Sequence, residues 1–199
     1  MSRQLSLDGI SSGEKPPDRL FFGIFPPPAD ASRLAQLAQY LRARHALTGS
    51  PLAVERFHIT LVHLGDYFGL PATVVRTAID AASTVVMPPF AVTFDYAESF
   101  SGKSATLPFV LRANTGVDRL VDFQRNLGMA LKKAGLGRYV SSSFTPHVTL
   151  LYDEKLLSPE PVEPVGWVVN EFALVHSLLR RGRHIALERW PLREQRAEG

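Results

Sequence analysis

The chain reads as an α+β protein with antiparallel strand pairing, made of two similar lobes. Two observations carry this. Helical and strand patterns interleave too irregularly for a doubly wound parallel sheet, which needs steady strand–helix alternation. One strand-like segment opening on His-x-Thr also occurs twice, as His58-Ile59-Thr60-Leu61 and His147-Val148-Thr149-Leu150. Each copy follows a long amphipathic pattern, and so wide a separation marks lobes rather than the short period of a solenoid.

The elements follow in order. Arg19–Phe25 (RLFFGIF) is β-rich and stops at Pro26-Pro27-Pro28, where backbone donors vanish. The segment 29–47 carries Leu34, Leu37, Ala38 and Leu41 at helical spacing and ends at Gly49-Ser50-Pro51. A strand is expected from about Glu55 to Leu64, broken by Gly65-Asp66. Residues 70–86 give a second helix, with Pro71 near its start and Met87-Pro88-Pro89 closing that half. Two strands, 90–100 and 105–113, are joined by Ser101-Gly102-Lys103-Ser104. The third helix, 116–136, places Leu120, Phe123, Leu127 and Leu131 on its inner stripe. The strand Pro146–Tyr152 comes next, then SPEPVEPVG (158–166), expected as a Pro-rich loop. WVVNEFALVHSLL and IALERWPL close the chain as strands around the basic turn RRGRH.

Composition narrows the class. Of 199 residues 45% are hydrophobic, enough for a sizeable core, and none is cysteine. A disulfide scaffold and a thiolate metal site are therefore excluded, and a reducing compartment fits. The formal net charge of +3 suits an anionic substrate but falls far short of a protein that coats nucleic acid. The opening MSRQLSLDGISSGEKPPDR lacks the apolar stretch of a signal peptide. Residues 1–18 are expected to form a disordered polar tail and 19–199 a single bilobal domain. No apolar run approaches the length of a membrane span. The expectation is a soluble, cytoplasmic, monomeric protein.

The repeated motif carries the chemistry. Side chains two apart on a strand share a face, so His58 lies beside Thr60 and His147 beside Thr149. A lone His-x-Thr is a weak signal, and two strand histidines making ordinary core hydrogen bonds would satisfy it. The longer frame His-[Ile/Val]-Thr-Leu-[Val/Leu], matched at both sites in predicted strands, is far more specific.

HITL and HVTL resemble the paired HxTx motifs of the two-histidine (2H) phosphoesterase superfamily. The nearest branch is that of the RNA 2′,3′-cyclic phosphodiesterases, also called 2′-5′ RNA ligases (LigT-like proteins). The resemblance runs from about Arg19 to Leu192: RLFFGIFPP is similar to the opening strand of that branch, HITLVHLGD and SFTPHVTLLYD to its motifs, and EFALVHSLLRRGRH with LERWPL to its closing hairpin. It implies a bilobal fold with pseudo-twofold symmetry, in which two antiparallel sheets with flanking helices contribute one HxTx strand each to a central cleft. It also implies metal-independent opening of RNA 2′,3′-cyclic phosphate ends to 2′-phosphates, reversible as 2′-5′ ligation. His58 would be proton donor and His147 proton acceptor, with Thr60 and Thr149 binding the phosphate. An imidazole near pKa 6.5 serves either role at neutral pH, and a hydroxyl can stabilise charge developing on phosphate oxygens. The residues themselves leave open which histidine is the acid. No metal and no cofactor are expected.

The chain departs from the branch in two places. Tyr152 stands where an arginine is common, and a shortened turn with His184 stands where a tyrosine is common. Tyr152, Arg183, His184 and Phe144 are candidate substrate contacts, and Tyr139 is a further candidate for stacking a base. The basic turn Arg180, Arg181, Arg183 would more often be merely solvated, but beside an RNA cleft it can meet phosphates. Arg56 shares the His58 face by spacing. His63, five residues after His58, is expected on the opposite face, packed under a helix or at a strand end, with a role in the cleft the lesser alternative. His45 and His176 read as structural. Beside the RNA-end reading stand two others: a relative acting on a small cyclic nucleotide or a 2′-5′ linked oligonucleotide, and a non-catalytic RNA-end binding protein. Against the last, a pure binder has no need of two opposed proton-transfer groups.

Overall fold

The computed structural model describes residues 14–102, 104–113 and 115–194. Strand β1 (Asp18–Ile24), helix α1 (Pro28–Arg44) and strand β2 (Ile59–Tyr67) come first, followed by α2 (Ala72–Ala82), β3 (Phe90–Ser99) and β4 (Leu107–Arg112). Then follow α3 (Asp118–Lys133), β5 (His147–Asp153), β6 (Glu160–Val169), β7 (Glu171–Leu178) and β8 (Arg183–Pro191). The strands form two four-stranded antiparallel sheets, ordered β2-β1-β7-β8 and β5-β4-β3-β6. The repeat legible in the sequence is thus structural. Each lobe contains a strand–helix–strand unit, β1-α1-β2 or β4-α3-β5, whose second strand carries His-x-Thr and forms the sheet edge. The two edges, β2 and β5, meet.

The helices cross between lobes. α1 leaves the first sheet yet touches β5 and β6 of the second, burying Ala31, Leu34, Ala38 and Leu41. α3 buries Leu120, Phe123, Leu127 and Leu131 and touches β2 as well as β3. Its Phe123 ring sits 5.9 Å from Phe90 of β3 and 5.0 Å from Phe172 of β7. One apolar cluster consequently runs through both lobes. In β1, Leu20, Phe22 and Ile24 enter this core, while Phe21 faces the other way with Ala173 and Val175.

Three sequence expectations need correction. SPEPVEPVG is not a loop but most of β6, an edge strand where the missing amides of Pro161 and Pro164 break no interior ladder. Gly65-Asp66 does not end β2, which continues to Tyr67 through irregular pairing with β1. Asp18 opens β1, bonding His176 at 2.6 Å and the Gly69 amide at 3.0 Å, rather than ending a tail. Of the rest of the proposed tail, residues 14–17 are described, with Glu14 paired to Arg180 and the Pro17 carbonyl accepting from the Leu179 amide, and residues 1–13 lie outside the described residues. Among the described residues, no helix is long and apolar enough to cross a membrane.

The loop between α1 and the first motif is fastened to the second lobe by Asp153. This buried carboxylate accepts from the Thr48 and Gly49 amides, both at 2.7 Å, and from the Lys155 amide at 2.9 Å. These bonds, with the Gly49 amide first, hold its pKa below the usual carboxylate value. Gly49 packs so closely that a Cβ there would stand 1.9 Å from the Tyr152 carbonyl oxygen, which only glycine allows. The loop then hydrogen-bonds β5, Leu52 N donating to Leu150 O at 2.8 Å, and delivers a 3₁₀ turn at Val54–Arg56 ahead of His58.

Candidate active site

The meeting edges form a cleft of about 280 Å³ lined by His58, Thr60, His147 and Thr149, together with Arg19 and Arg56. The two histidines are anchored alike. Nδ1 of His58 donates to the Arg56 carbonyl at 2.6 Å, and Nδ1 of His147 donates to the Thr145 carbonyl at 2.7 Å. A carbonyl can only accept, so each Nδ1 carries its proton and each Nε2 is left to serve the cleft. The bond reaches two residues back in both lobes, so the symmetry of the sequence motif extends to the tautomer.

Their surroundings differ. His58 lies against Phe21, with ring centroids 4.8 Å apart, and against Phe25 at 5.8 Å. Burial lowers its pKa to about 4, the bond to Arg56 opposing, and the neighbouring His147, Arg56 and Arg19 lower it further. Gly23 makes room for Phe21: a Cβ at Gly23 would come 2.9 Å from that ring. His147 meets Phe100 edge-on at 4.9 Å. Burial lowers its pKa too, partly offset by the Thr145 bond, with Arg112 adding to the depression. No carboxylate lines the cleft among the described residues. The lining offers positive and polar groups, Arg56 among them, with the charge of Arg19 already paired to Asp66.

A β-bulge in each motif strand sets the rest of the lining. Gly23 pairs with Thr60 but Phe22 with Val62, which leaves Leu61 as an extra residue. Val110 pairs with Thr149 but Phe109 with Leu151, which leaves Leu150 as the extra residue in the same place of the second motif. Each bulge shifts the alternation by one. His63 therefore shares the cleft face with Thr60, and Tyr152 shares it with Thr149, three residues along in both strands. This corrects the expectation that His63 turns away. It is exposed, lines the cleft, and bonds Asp66 at 2.9 Å. Asp66 also takes two bonds from Arg19, at 2.7 and 2.8 Å, and these hold its carboxyl down to about 2, with His63 assisting.

Of the other candidates, Tyr152 and His184 line the cleft. Phe144 and Tyr139 line a neighbouring cavity of about 370 Å³ that meets the cleft at His63. Arg183 is exposed and does not line the cleft, and Arg180 pairs with Glu14. His45 and His176 are structural, bonding Glu160 and Asp18. Sequence reasoning passed over Arg19, Phe21 and Ser177, which line the cleft from β1 and β7. For the first two the signal was the alternation of RLFFGIF, which sends Arg19 and Phe21 to one face; Ser177 joins them through its pairing with Arg19.

Comparison with known proteins gives a consistent picture. The chain matches the family model of the 2′-5′ RNA ligase superfamily over residues 7–180. It is 29% identical over 183 residues to the RNA 2′,3′-cyclic phosphodiesterase of Escherichia coli K12, covering 88% of this chain and 97% of that relative. Escherichia coli LigT in complex with 3′-AMP has a similar structure, with a TM-score of 0.69 at 28% identity over 89% of this chain and 99% of that one. A Thermus thermophilus protein, TT0787, at 20% identity and a TM-score of 0.70 over 87% of this chain and 97% of that one, shares the fold.

Proposed function

Since the chain belongs to the 2′-5′ RNA ligase superfamily, we propose that it hydrolyses 2′,3′-cyclic phosphate ends of RNA to 2′-phosphate ends without a metal. Water is the nucleophile. His147 Nε2 takes a proton from the water as its oxygen bonds phosphorus, the bond from phosphorus to the 3′-oxygen breaks, and His58 Nε2–H supplies the proton that oxygen needs. Thr60 and Thr149 donate hydroxyl hydrogen bonds to the non-bridging oxygens, where charge accumulates in the transition state. Arg56 makes the cleft favourable for an anion, and Arg19, paired with Asp66, adds donors at its wall. With a 5′-hydroxyl in place of water, the same two transfers would form a 2′-5′ linkage.

The observation that carries this reading is the matched anchoring of His58 and His147 through Nδ1, which presents two Nε2 atoms to one cavity that holds no carboxylate among the described residues. The name of the Escherichia coli relative supports the cyclic-phosphate chemistry. The 3′-AMP complex of LigT supports a nucleotide substrate.

The test is to incubate the protein with RNA ending in a 2′,3′-cyclic phosphate, in EDTA, and identify the product isomer. A 2′-phosphate is expected. A 3′-phosphate would exchange the leaving oxygen and refute the scheme, and turnover that needs added divalent metal would refute the metal-free chemistry.

A further inference from the structure

His184 is the unusual neighbour of the histidine pair. It lies on β8, in register with Ser177 of β7, on the sheet face that also presents Arg19 and Phe21. Its ring stands edge-on to His58, with centroids 5.1 Å apart, and packs against Phe21 at 5.5 Å and Phe25 at 6.3 Å. Both its ring nitrogens are buried without a hydrogen-bond partner. An imidazole that gives up both hydrogen bonds costs the fold free energy, so a partner absent from the folded chain is the natural explanation. Rotation about the Cβ–Cγ bond exchanges nitrogen and carbon positions, so the ring can turn a nitrogen toward a ligand without moving its backbone.

His184 also lines a second cavity of about 440 Å³, so cleft and cavity meet at this residue. Phe25, Val54 and Phe57 give it apolar walls, Ala186 adds a small side chain, and Glu55 and Arg189 supply polar groups. An apolar slot with an aromatic wall and a few polar groups at its margin suits a flat heterocycle. We propose that this cavity seats the nucleobase of the nucleotide whose phosphate lies between His58 and His147, and that His184 turns to hydrogen-bond that nucleoside. The inference rests on the phosphodiesterase reading for the position of the phosphate. The Glu55 carboxylate accepts hydrogen bonds, so a base with an exocyclic amino group fits better than one without.

Equilibrium binding tests this apart from turnover. Calorimetry would compare adenosine 2′-phosphate, uridine 2′-phosphate and ribose 2-phosphate for the wild type, His184→Phe, His184→Gln and Ala186→Trp. Adenosine 2′-phosphate should bind wild type about tenfold or more tightly than ribose 2-phosphate, the range expected for one stacked base, with uridine 2′-phosphate between them. His184→Phe, which keeps a ring but no nitrogens, and Ala186→Trp, which fills the cavity, should both reduce that ratio, whereas His184→Gln should recover part of it. Equal affinity of the wild type for nucleoside and ribose phosphates overturns the cavity assignment, whether or not cyclic ends are hydrolysed. A base preference that depends on His184, in a protein that leaves cyclic phosphates untouched, upholds the cavity and removes the phosphodiesterase reading instead.

Discussion

His58 can act as proton donor only if the substrate charges it. Burial holds its pKa to about 4 in the folded protein. Such a group carries a proton in about one molecule in a thousand at pH 7, so charging it costs about 4 kcal/mol. A singly charged phosphodiester about 4 Å away, at an effective dielectric of about 20, returns about 4 kcal/mol. The two figures match, so one bound monoanion should bring His58 to roughly half protonation near neutrality. Dimethyl phosphate is a suitable probe, being a diester monoanion with no ring to open. In ¹⁵N-histidine NMR titrations, His58 should titrate near 4 alone and near 7 with saturating dimethyl phosphate. Calorimetry in buffers of different ionisation enthalpy should show uptake of a substantial fraction of a proton at pH 7. Titration of His58 near 6.5 in the free protein, or indifference to the anion, would refute the reasoning. The donor would then be charged before any substrate arrived.

The remaining expectations concern rate and stability. His58→Ala and His147→Ala should each slow turnover of a cyclic-phosphate RNA end by about 10²–10⁴-fold, and the double variant should lose less than the product of the two, because the pair acts as a unit; full turnover by His147→Ala would remove it as base. Thr60→Ala and Thr149→Ala should each cost about 1.5–3 kcal/mol of transition-state binding, read as kcat/KM, while the melting temperature stays put. Asp153→Ala leaves the Thr48 and Gly49 amides without their acceptor and should cost on the order of 3 kcal/mol, roughly 6–12 °C in Tm; an unchanged Tm would mean the loop is held by something else. Acid should destabilise the fold in two windows. His58 and His184, both depressed to about 4, contribute stability that is present above about 6.5, their unfolded value, and is lost as pH falls to about 4. Asp153, depressed below its unfolded value, contributes stability that is lost only as pH falls further, through its folded pKa. An unfolding free energy flat from pH 7 to 4 would contradict the histidine assignments.

The sequence disclosed what depends on local pattern. The stripe of Leu120, Phe123, Leu127 and Leu131 marked α3, and the twin His-x-Thr frames marked both motif strands and four lining residues. It hid what depends on pairing. Whether a strand bulges is decided by its partner, so nothing within HITLVH or HVTLLY shows that His63 and Tyr152 swing to the cleft. The prolines of SPEPVEPVG argue against an interior strand, but they cannot separate a loop from an edge strand until the sheet order is known. Asp153 ends the second motif stretch with nothing local to mark it as a fastening. Its partners, Thr48 and Gly49, lie about a hundred residues away in the other lobe, beyond the reach of any periodicity. His184 was noticed as a departure, but its closeness to His58 comes from the registers of β7 and β8.

The crossing of the helices bears on how such a chain can be divided. α1 follows β1 of one sheet but lies on β5 and β6 of the other, and α3 reaches back to β2. Cut between the lobes, the first piece would keep Leu34, Ala38 and Leu41 with no sheet to cover them, and the second would lose the far wall of Phe123. Neither half would be a small protein in its own right. Two fragments could bury these stripes only by lending each other their helices, as domain-swapped partners do. The cleft is thus a seam between halves that complete each other's core, and the histidines stand on its two banks.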